Sequence, residues 1–316
     1  LTGYPPRDLL HKGGFVSANL QALSRLAAAT GPTGLLVGFV GKAEKQPGRG
    51  LTNSVALLQN GKILATRDKT LLPTYDVFDE DRYFQPASEN LPVEFNGRKI
   101  GLTICEDLWN DEDFWSERRY EINPATQLAA AGAEIIFNLS ASPWHLGKNQ
   151  IRHKMLHELA AKIKLPLVYC NLTGGNDELV FDGASLVINA SGKLLAEGKL
   201  FDEDFMVSDL AKATAITPQA SCDEEKLYKA LVLGIRDYFQ KCGFKSAVLG
   251  LSGGIDSALT AALAVDALGK ENVRGVSLPS EYSSQGSLDD AQSLAERLGI
   301  RYDVIPIQPL FAPAKE

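Results

Sequence analysis

Residues 250–257, GLSGGIDS, form a glycine- and serine-rich segment between a short apolar run and a helix-like stretch. Its two consecutive glycines permit a tight turn close to a bound group. Successive backbone N–H groups and the start of a helix can then bind an anion, and the two serine hydroxyls add donors. Asp256 supplies a carboxylate suited to Mg²⁺. The segment predicts phosphate binding, although a plain turn with a Ser or Asp helix cap would share the pattern.

Two further residues could hydrolyse an amide. Cys105 follows the apolar run KIGLTI, and Lys69 ends a strand-like run of its own. Amide hydrolysis needs a nucleophile, a base and a group that stabilises the oxyanion. A thiolate is the reactive form of cysteine, and a nearby cation lowers its pKa. Taken alone, such a cysteine is more often a small buried residue, and such a lysine is usually solvated.

The elements that would position these residues alternate between strands and helices over the first 210 residues. Asn-Gly pairs at 60–61 and 96–97 indicate tight hairpins. Short apolar runs indicate buried strands, and longer periodic runs indicate helices. The predicted elements are strand 35–40, hairpins 54–69 and 92–105, helix 124–133, strand 134–140, helix 147–164, strand 166–171 and hairpin 184–198. Together they favour helices layered on sheets.

The rest of the chain follows a segment without clear periodicity, residues 211–225, which we interpret as a linker. Strands that alternate with helices indicate parallel βαβ units. The predicted elements are helices 224–243, 257–269 and 287–298, and strands 246–251, 274–278 and 301–307.

Composition restricts the class of protein. The length of 316 residues suggests two domains, and the net charge of −7 disfavours a nucleic-acid partner. No apolar run is long enough to span a membrane, and no secretory signal is visible. The four cysteines are far apart, so a disulfide framework or a zinc site is improbable, and a reducing compartment fits best.

The loop at 250–257 resembles the PP-loop of ATP pyrophosphatases, SGGxDS. Residues 276–300, VSLPSEYSSQGSLDDAQSLAERLGI, resemble the matching segment of NAD synthetases. This resemblance implies that the loop holds the pyrophosphate part of ATP, with Asp256 on Mg²⁺. The implied ATP-binding residues are Gly250, Leu251, Ser252, Gly253, Gly254, Ile255, Asp256 and Ser257. We expect Ser287 to cap the helix that follows.

Four segments of the first domain look like the nitrilase-type domain of glutamine-dependent NAD synthetases. They are RDKTLLPTYDVFDEDRYF (67–84), GLTICEDLW (101–109), NLSASPWHLGKNQIR (138–152) and NLTGGNDELVFDGAS (171–185). The resemblance implies that Cys105 is the nucleophile, that Lys69 faces the oxyanion, and that Glu80 supports both. It assigns glutamine contacts to Tyr75, Ser142, Lys148 and Glu106. Asp107 and Trp109 are expected to be structural.

The resemblance also implies a general-base glutamate just ahead of the stretch LTGYPP, where this chain begins. The second part also stops before the family's later segments, which bind deamido-NAD and complete the ATP site, so we expect sequence to be missing on both sides. A truncated, inactive fragment that binds nucleotide or a partner remains an alternative, as does a PP-loop synthetase with another acceptor. A free-standing nitrilase or carbamoylase is opposed by the SGGIDS loop.

The sequence thus predicts an α/β protein of two domains. Residues 1–212 would form a nitrilase-like αββα glutaminase, 213–223 a linker, and 224–316 an incomplete Rossmann-like domain of the adenine nucleotide alpha hydrolase type. The predicted enzyme is a cytoplasmic, homo-oligomeric carbon–nitrogen ligase of NAD biosynthesis. It would hydrolyse glutamine and use ATP and Mg²⁺ to amidate deamido-NAD, giving NAD, AMP, pyrophosphate and glutamate. No nucleic-acid or membrane partner is expected.

Overall fold

A computed structural model describes residues 1–43 and 48–311 of the chain. The last residues of the predicted second domain, 312–316, lie outside the described residues. The chain forms two units. The first comprises Leu1–Thr173 and Phe181–Ala220, and the second comprises Gly174–Val180 and Ser221–Glu316. Among the described residues, no helix is long and apolar enough to cross a membrane.

Two sheets form the centre of the first unit. One is antiparallel, in the order β1 (Leu35–Lys42), β2 (Leu51–Gln59) and β3 (Lys62–Asp68). The other has six strands in the order β11-β10-β7-β6-β5-β4, with β5, β6 and β7 parallel to one another. Its strands are β4 (Val93–Phe95), β5 (Arg98–Ile104), β6 (Ile135–Ser140), β7 (Leu167–Asn171), β10 (Leu186–Ile188) and β11 (Leu194–Glu197). Strands β8 (Thr173–Asn176) and β9 (Leu179–Asp182) form a separate two-stranded hairpin.

The Asn-Gly pairs turn the predicted hairpins. Asn60 and Gly61 have φ of 50° and 78°, and Asn96 and Gly97 have 50° and 76°. Two successive positive φ values are the requirement of a tight hairpin turn whose twist matches that of the strands. These turns fix the register of β2 with β3 and of β4 with β5.

Alternation along the strands builds four layers, because successive side chains of a strand point to opposite faces. On β2, Val55 and Leu57 pack against Ile100 and Leu102 of the other sheet. The intervening residues of β2 pack on helix α1 (Phe15–Ala28). The outer face of the six-stranded sheet packs on α2 (Pro124–Ala130) and α3 (Lys148–Ile163). The result is the predicted αββα sandwich.

The second unit contains a parallel three-stranded sheet in the order β12-β13-β14. Its elements are α4 (Asp223–Cys242), β12 (Ala247–Gly250), α5 (Ile255–Leu268), β13 (Val273–Ser277), α6 (Gln285–Leu298), β14 (Arg301–Val304) and α7 (Gln308–Phe311). Small side chains of α5 and α6 pack on the sheet around Val273 and Leu251. This is the predicted parallel α/β arrangement.

Three local expectations differ from the structure. Helix α6 is capped by Ser284, whose hydroxyl accepts a hydrogen bond from the N–H of Ser287, so the cap lies three residues before the predicted one. Helix α5 begins at Ile255, because Gly254 already takes the extended cap conformation. Helix α1 and the β8–β9 hairpin are absent from the predicted elements.

Candidate active site

Cys105 lies at a sharp turn after β5. Its φ is 43°, in the left-handed region that side chains other than glycine rarely adopt. It opens a short 3-10 turn, Cys105–Leu108, and its side chain is 8% exposed. Strained backbone of this kind often accompanies functional residues. The turn holds the thiol at the carboxyl end of a central parallel strand, where α/β sheets commonly bind ligands.

Asp107 joins this turn to the segment that carries Lys69. One carboxylate oxygen, Oδ2, accepts a 2.9 Å hydrogen bond from the N–H of Ile104. The other accepts bonds from the N–H groups of Thr70 and Leu71, at 3.1 and 2.9 Å. Burial raises the pKa of Asp107 to about 6 despite these donors. Asp107, which the sequence led us to expect to be structural, is therefore a positioning residue between the nucleophile and the lysine.

Lys69 and Glu80 form a buried ion pair. The Lys69 ammonium donates to both carboxylate oxygens of Glu80, at 2.8 and 2.7 Å. The hydroxyl of Tyr4 donates a further bond, of 2.8 Å, to Oε1 of Glu80. Burial opposes the charge of Lys69, but Glu80 and Cys105 outweigh it, so the pKa of Lys69 is raised. Lys69 therefore remains a fixed cation in a low-dielectric site.

The electrostatics of the thiol follow from this setting. Burial is the largest cause and raises the pKa of Cys105, and the carboxylates of Glu106 and Glu80 raise it further. The cations of Lys69 and Lys148 act in the opposite direction. The resting thiol is protonated at neutral pH, so its attack on a substrate requires a base that takes the proton.

A cavity of about 520 Å³ opens on one side of Cys105. Glu106 lies in its wall, and its Oε1 accepts hydrogen bonds from the hydroxyls of Tyr75, at 2.7 Å, and Tyr120, at 3.3 Å. Burial raises the pKa of Glu106. Ser142 and Lys148 line the same cavity. All four predicted glutamine contacts thus surround one cavity, which we call the amino-acid pocket.

A second cavity, of about 470 Å³, is also lined by Cys105. Leu1, Thr2, Gly3 and Tyr4 line it, together with Lys69, Glu80 and Cys105. Cys105 therefore lines two cavities, one of which is also lined by residues 1–4.

A buried network of hydrogen bonds and one ion pair connects the elements that carry Ser142 and Lys148 of the amino-acid pocket. Arg152 and Asp182, both 0% exposed, form a bidentate pair at 2.8 and 3.0 Å. Asn149 on α3 and Asn171 at the end of β7 donate to the same carboxylate, at 2.6 and 3.0 Å. Asn171 in turn accepts a 3.0 Å bond from the N–H of Ser142. The network fixes α3, and with it Lys148, relative to the Ser142 loop.

The glycine-rich loop of the second unit is closely packed on one side. Gly253 has φ of 80°, and a Cβ built there would lie 2.4 Å from the carbonyl oxygen of Ser287. Only glycine fits this position. The hydroxyl of Ser252 accepts a bond from Gly254 N–H and lies 3.2 Å from that of Ser257.

The same loop leads into the solvent-exposed start of helix α5. The first bond of the helix runs from Ala258 N–H to the Gly254 carbonyl. The N–H groups of residues 255–257 have no partner within the helix, as at any helix start, and they can receive an anion. Asp256 is exposed beside them. Within residues 1–43 and 48–311, no three His, Cys, Asp or Glu side chains form a metal site. A Mg²⁺ ion at Asp256 would thus need phosphate oxygens as further ligands, which is common for this ion.

Comparisons with known proteins agree with both parts of the chain. Residues 1–217 match the family model of carbon-nitrogen hydrolases, and residues 227–316 match that of NAD synthase. A glutamine-dependent NAD(+) synthetase of Synechocystis is 47% identical over 99% of this chain. The chain covers 58% of that relative's length.

Solved structures show the same relationship. The glutamine-dependent NAD+ synthetase of Acinetobacter baumannii, determined in complex with adenosine diphosphate, superposes with a TM-score of 0.87 at 36% identity. That match covers 99% of this chain and 57% of the other. An amidase of the nitrilase superfamily from Nesterenkonia has a TM-score of 0.51 at 22% identity, over 63% of this chain and 70% of its own, which shows a shared fold.

The family model that matches residues 1–217 spans more than half of the 316-residue chain, and the sequence-based resemblance is thereby confirmed. The chain belongs to the carbon-nitrogen hydrolase family, and its carbon-nitrogen hydrolase part is followed by a segment of the NAD synthase type.

Proposed function

We propose that this chain is the glutamine-hydrolysing part, and the beginning of the ATP-dependent part, of a glutamine-dependent NAD synthetase. The observation that carries the proposal is the buried set of Cys105, Lys69 and Glu80, whose cysteine also lines the amino-acid pocket with its predicted glutamine contacts. A glycine-rich anion-binding loop in the same chain supports an ATP-dependent use of the released nitrogen.

Hydrolysis begins when the Cys105 sulfur attacks the side-chain amide carbon of glutamine. A base takes the thiol proton, and the charge that develops on the amide oxygen is stabilised by the Lys69 ammonium. N–H groups at the start of the Cys105 turn have no partner within it and can add to this oxyanion site. The proton then passes to the leaving nitrogen, which departs as ammonia. Water cleaves the thioester, and glutamate is released.

The family resemblance indicates which group takes the proton of the Cys105 thiol. It assigns this role to a glutamate just ahead of the stretch LTGYPP, and residues 1–4 line the cavity on one side of Cys105. A carboxylate immediately ahead of Leu1 would enter the site from that cavity. Glu80 is less suited to the role, because both of its oxygens are bonded to Lys69.

In the second unit, the loop at 250–257 would hold the pyrophosphate part of ATP through its N–H groups and serines. Asp256 would hold Mg²⁺, an ion that neutralises phosphate charge when bound. The loop orients ATP so that a carboxylate can attack its α-phosphorus and release pyrophosphate. Ammonia then displaces AMP from the acyl adenylate. With deamido-NAD as the carboxylate, the products are NAD, AMP, pyrophosphate and glutamate.

The same proposal includes a reducing, cytoplasmic setting and a homo-oligomer. Four free cysteines are compatible with the first. Size-exclusion chromatography with light scattering would test the second.

The test uses the full natural chain that contains these residues, supplied with ATP, deamido-NAD and glutamine carrying heavy nitrogen in its side-chain amide. We expect heavy nitrogen in NAD, and one AMP per NAD formed. Cys105→Ser should abolish the glutamine-dependent reaction and retain the reaction with added ammonia. Release of AMP with a different carboxylate, and none with deamido-NAD, would show that the enzyme uses another acceptor. No AMP release with any acceptor would favour the alternative of an inactive protein that binds nucleotide or a partner.

A further inference from the structure

In the wall of the amino-acid pocket, Tyr75 lies between an anion and a cation. Its hydroxyl donates a 2.7 Å hydrogen bond to Glu106. On the face of its ring lies the guanidinium of Arg119, with Cζ 3.7 Å from the ring centroid. Arg119 lines the same cavity as Ser142 and Cys105. The pocket therefore presents an anion at the hydroxyl end of one aromatic ring and a cation on a face of the same ring.

Arg119 is held there by its own loop. The next residue, Tyr120, donates a 3.3 Å bond to Glu106, and its carbonyl accepts a 2.9 Å bond from the Asn110 amide. The same amide bonds the carbonyl of Ile122 at 2.7 Å. These contacts fix the backbone on one side of Arg119, and the stacking on Tyr75 fixes the guanidinium. The contact with the ring face uses none of the five N–H donors of the guanidinium, which remain for a ligand.

The other cations of the pocket are engaged differently. Lys148 donates a 2.7 Å bond to the carbonyl of Pro143 and lowers the pKa of Cys105, so it acts near the reacting end. Arg118 donates a 2.7 Å bond to the carbonyl of Glu121. Arg119 is the cation paired through Tyr75 with the buried carboxylate of Glu106.

We propose that Arg119 is a specificity residue that receives the α-carboxylate of the substrate. This inference rests on the proposed glutaminase function. The ammonium and carboxylate of an α-amino acid are attached to one carbon, so they match an anion and a cation held next to each other by one tyrosine, at its hydroxyl and on its ring face. Glu106 takes the ammonium, and the planar fork of Arg119 takes the carboxylate. Simple amides lack both groups and forfeit both contacts.

The test compares two reagents that alkylate Cys105 in the full chain. A diazoketone analogue of L-glutamine carries the amino-acid head group, and iodoacetamide carries none. In Arg119→Ala we expect the second-order rate with the diazoketone to fall at least about tenfold, the scale of one lost charge-assisted hydrogen bond, while the iodoacetamide rate stays within about twofold. Arg119→Lys should recover part of the diazoketone rate, because it keeps the charge without the fork.

Arg82→Ala is the matched control, since it removes an arginine that also lies over a tyrosine ring, with Cζ 5.3 Å from the Tyr83 centroid, and that lines neither cavity beside Cys105. It should change neither rate by more than about twofold, because its ion pairs with Asp8 and Asp79 are exposed. Equal losses with both reagents in Arg119→Ala would overturn the proposal in favour of a purely structural role, and no loss with either would overturn it outright. A wild-type Cys105 that reacts with iodoacetamide and not with the diazoketone would instead overturn the glutaminase function itself.

Discussion

The substitution Glu80→Gln tests whether the Lys69–Glu80 pair is a buried charge pair on which the site depends. The two side chains are 1% and 5% exposed and lie 2.7 Å apart. The neighbouring residue supplies a control, because Asp81 pairs with Arg49 at 2.8 Å but with 49% and 40% exposure. The two pairs have nearly equal distances, so burial is the variable that differs.

The expected magnitudes differ accordingly. Glu80→Gln leaves a buried ammonium without its counter-charge, which costs about 3–5 kcal/mol in the free energy of unfolding. Asp81→Asn should cost about 0–1 kcal/mol, because water screens an exposed pair. For a unit of this size, each kcal/mol lowers the melting temperature by roughly 2–4 °C, so Glu80→Gln should lower it by about 6–20 °C.

Urea unfolding of the three proteins measures these differences. A double variant, Lys69→Met with Glu80→Gln, should recover much of the stability, because it removes the uncompensated ammonium, and should remain inactive. A difference of less than about 1 kcal/mol between Glu80→Gln and Asp81→Asn would refute the reasoning, since burial would then have no effect on the pair.

Three further predictions concern other parts of the molecule. Gly253→Ala should lower AMP formation by at least about tenfold, because its φ of 80° and a clash of the new Cβ with Ser287 of α6 would strain the loop. Gly286→Ala is the control, since a Cβ there meets open space, and it should leave AMP formation unchanged. Equal rates in the two variants would contradict this prediction. The pKa of Asp107 is about 6 in the folded state and 3.8 ordinarily, so the folded state holds this proton more tightly than the unfolded state does. The stability that the protonated carboxyl contributes is therefore present at low pH and is lost as the pH rises through 6. The stability of the wild type relative to Asp107→Asn should therefore fall by up to about 3 kcal/mol between about pH 4 and pH 7, and a pH-independent difference would be inconsistent with the shift. Asp182→Asn should cost about 3–5 kcal/mol and slow diazoketone labelling of Cys105, because Arg152 loses its buried partner; unchanged unfolding in urea would rule this out.

The layered fold was accessible from the sequence because its signals are local. The Asn-Gly pairs require positive φ at both positions, and the structure has them at 60–61 and 96–97. Continuous apolar runs became the buried strands of the six-stranded sheet. The cap of α6 shows the limit of local signals, because several serines precede the helix and only the hydrogen bond to Ser287 N–H identifies Ser284.

Much of the site depends on contacts between residues distant in sequence. Asp107 bonds the backbone of Thr70 and Leu71, and nothing in CEDLW indicates that partner. Arg119 reaches Tyr75 from a loop with no regular pattern. The left-handed φ of Cys105 follows from the turn between β5 and its 3-10 segment, whereas cysteine itself has no preference for that region. Resemblance to a family could supply the nucleophile, the lysine and the pocket, while these supporting contacts required the structure.

The central claim is that Cys105 is the nucleophile of a site for glutamine, and labelling by the diazoketone analogue of L-glutamine, with peptide mapping of every cysteine, tests it most directly. Cys105 is buried, while Cys170, Cys222 and Cys242 are exposed, so accessibility alone would favour the other three. The account predicts a label on Cys105 alone, and its loss in Lys69→Ala. A label distributed over the exposed cysteines, with Cys105 unmodified and the fold intact, would contradict it.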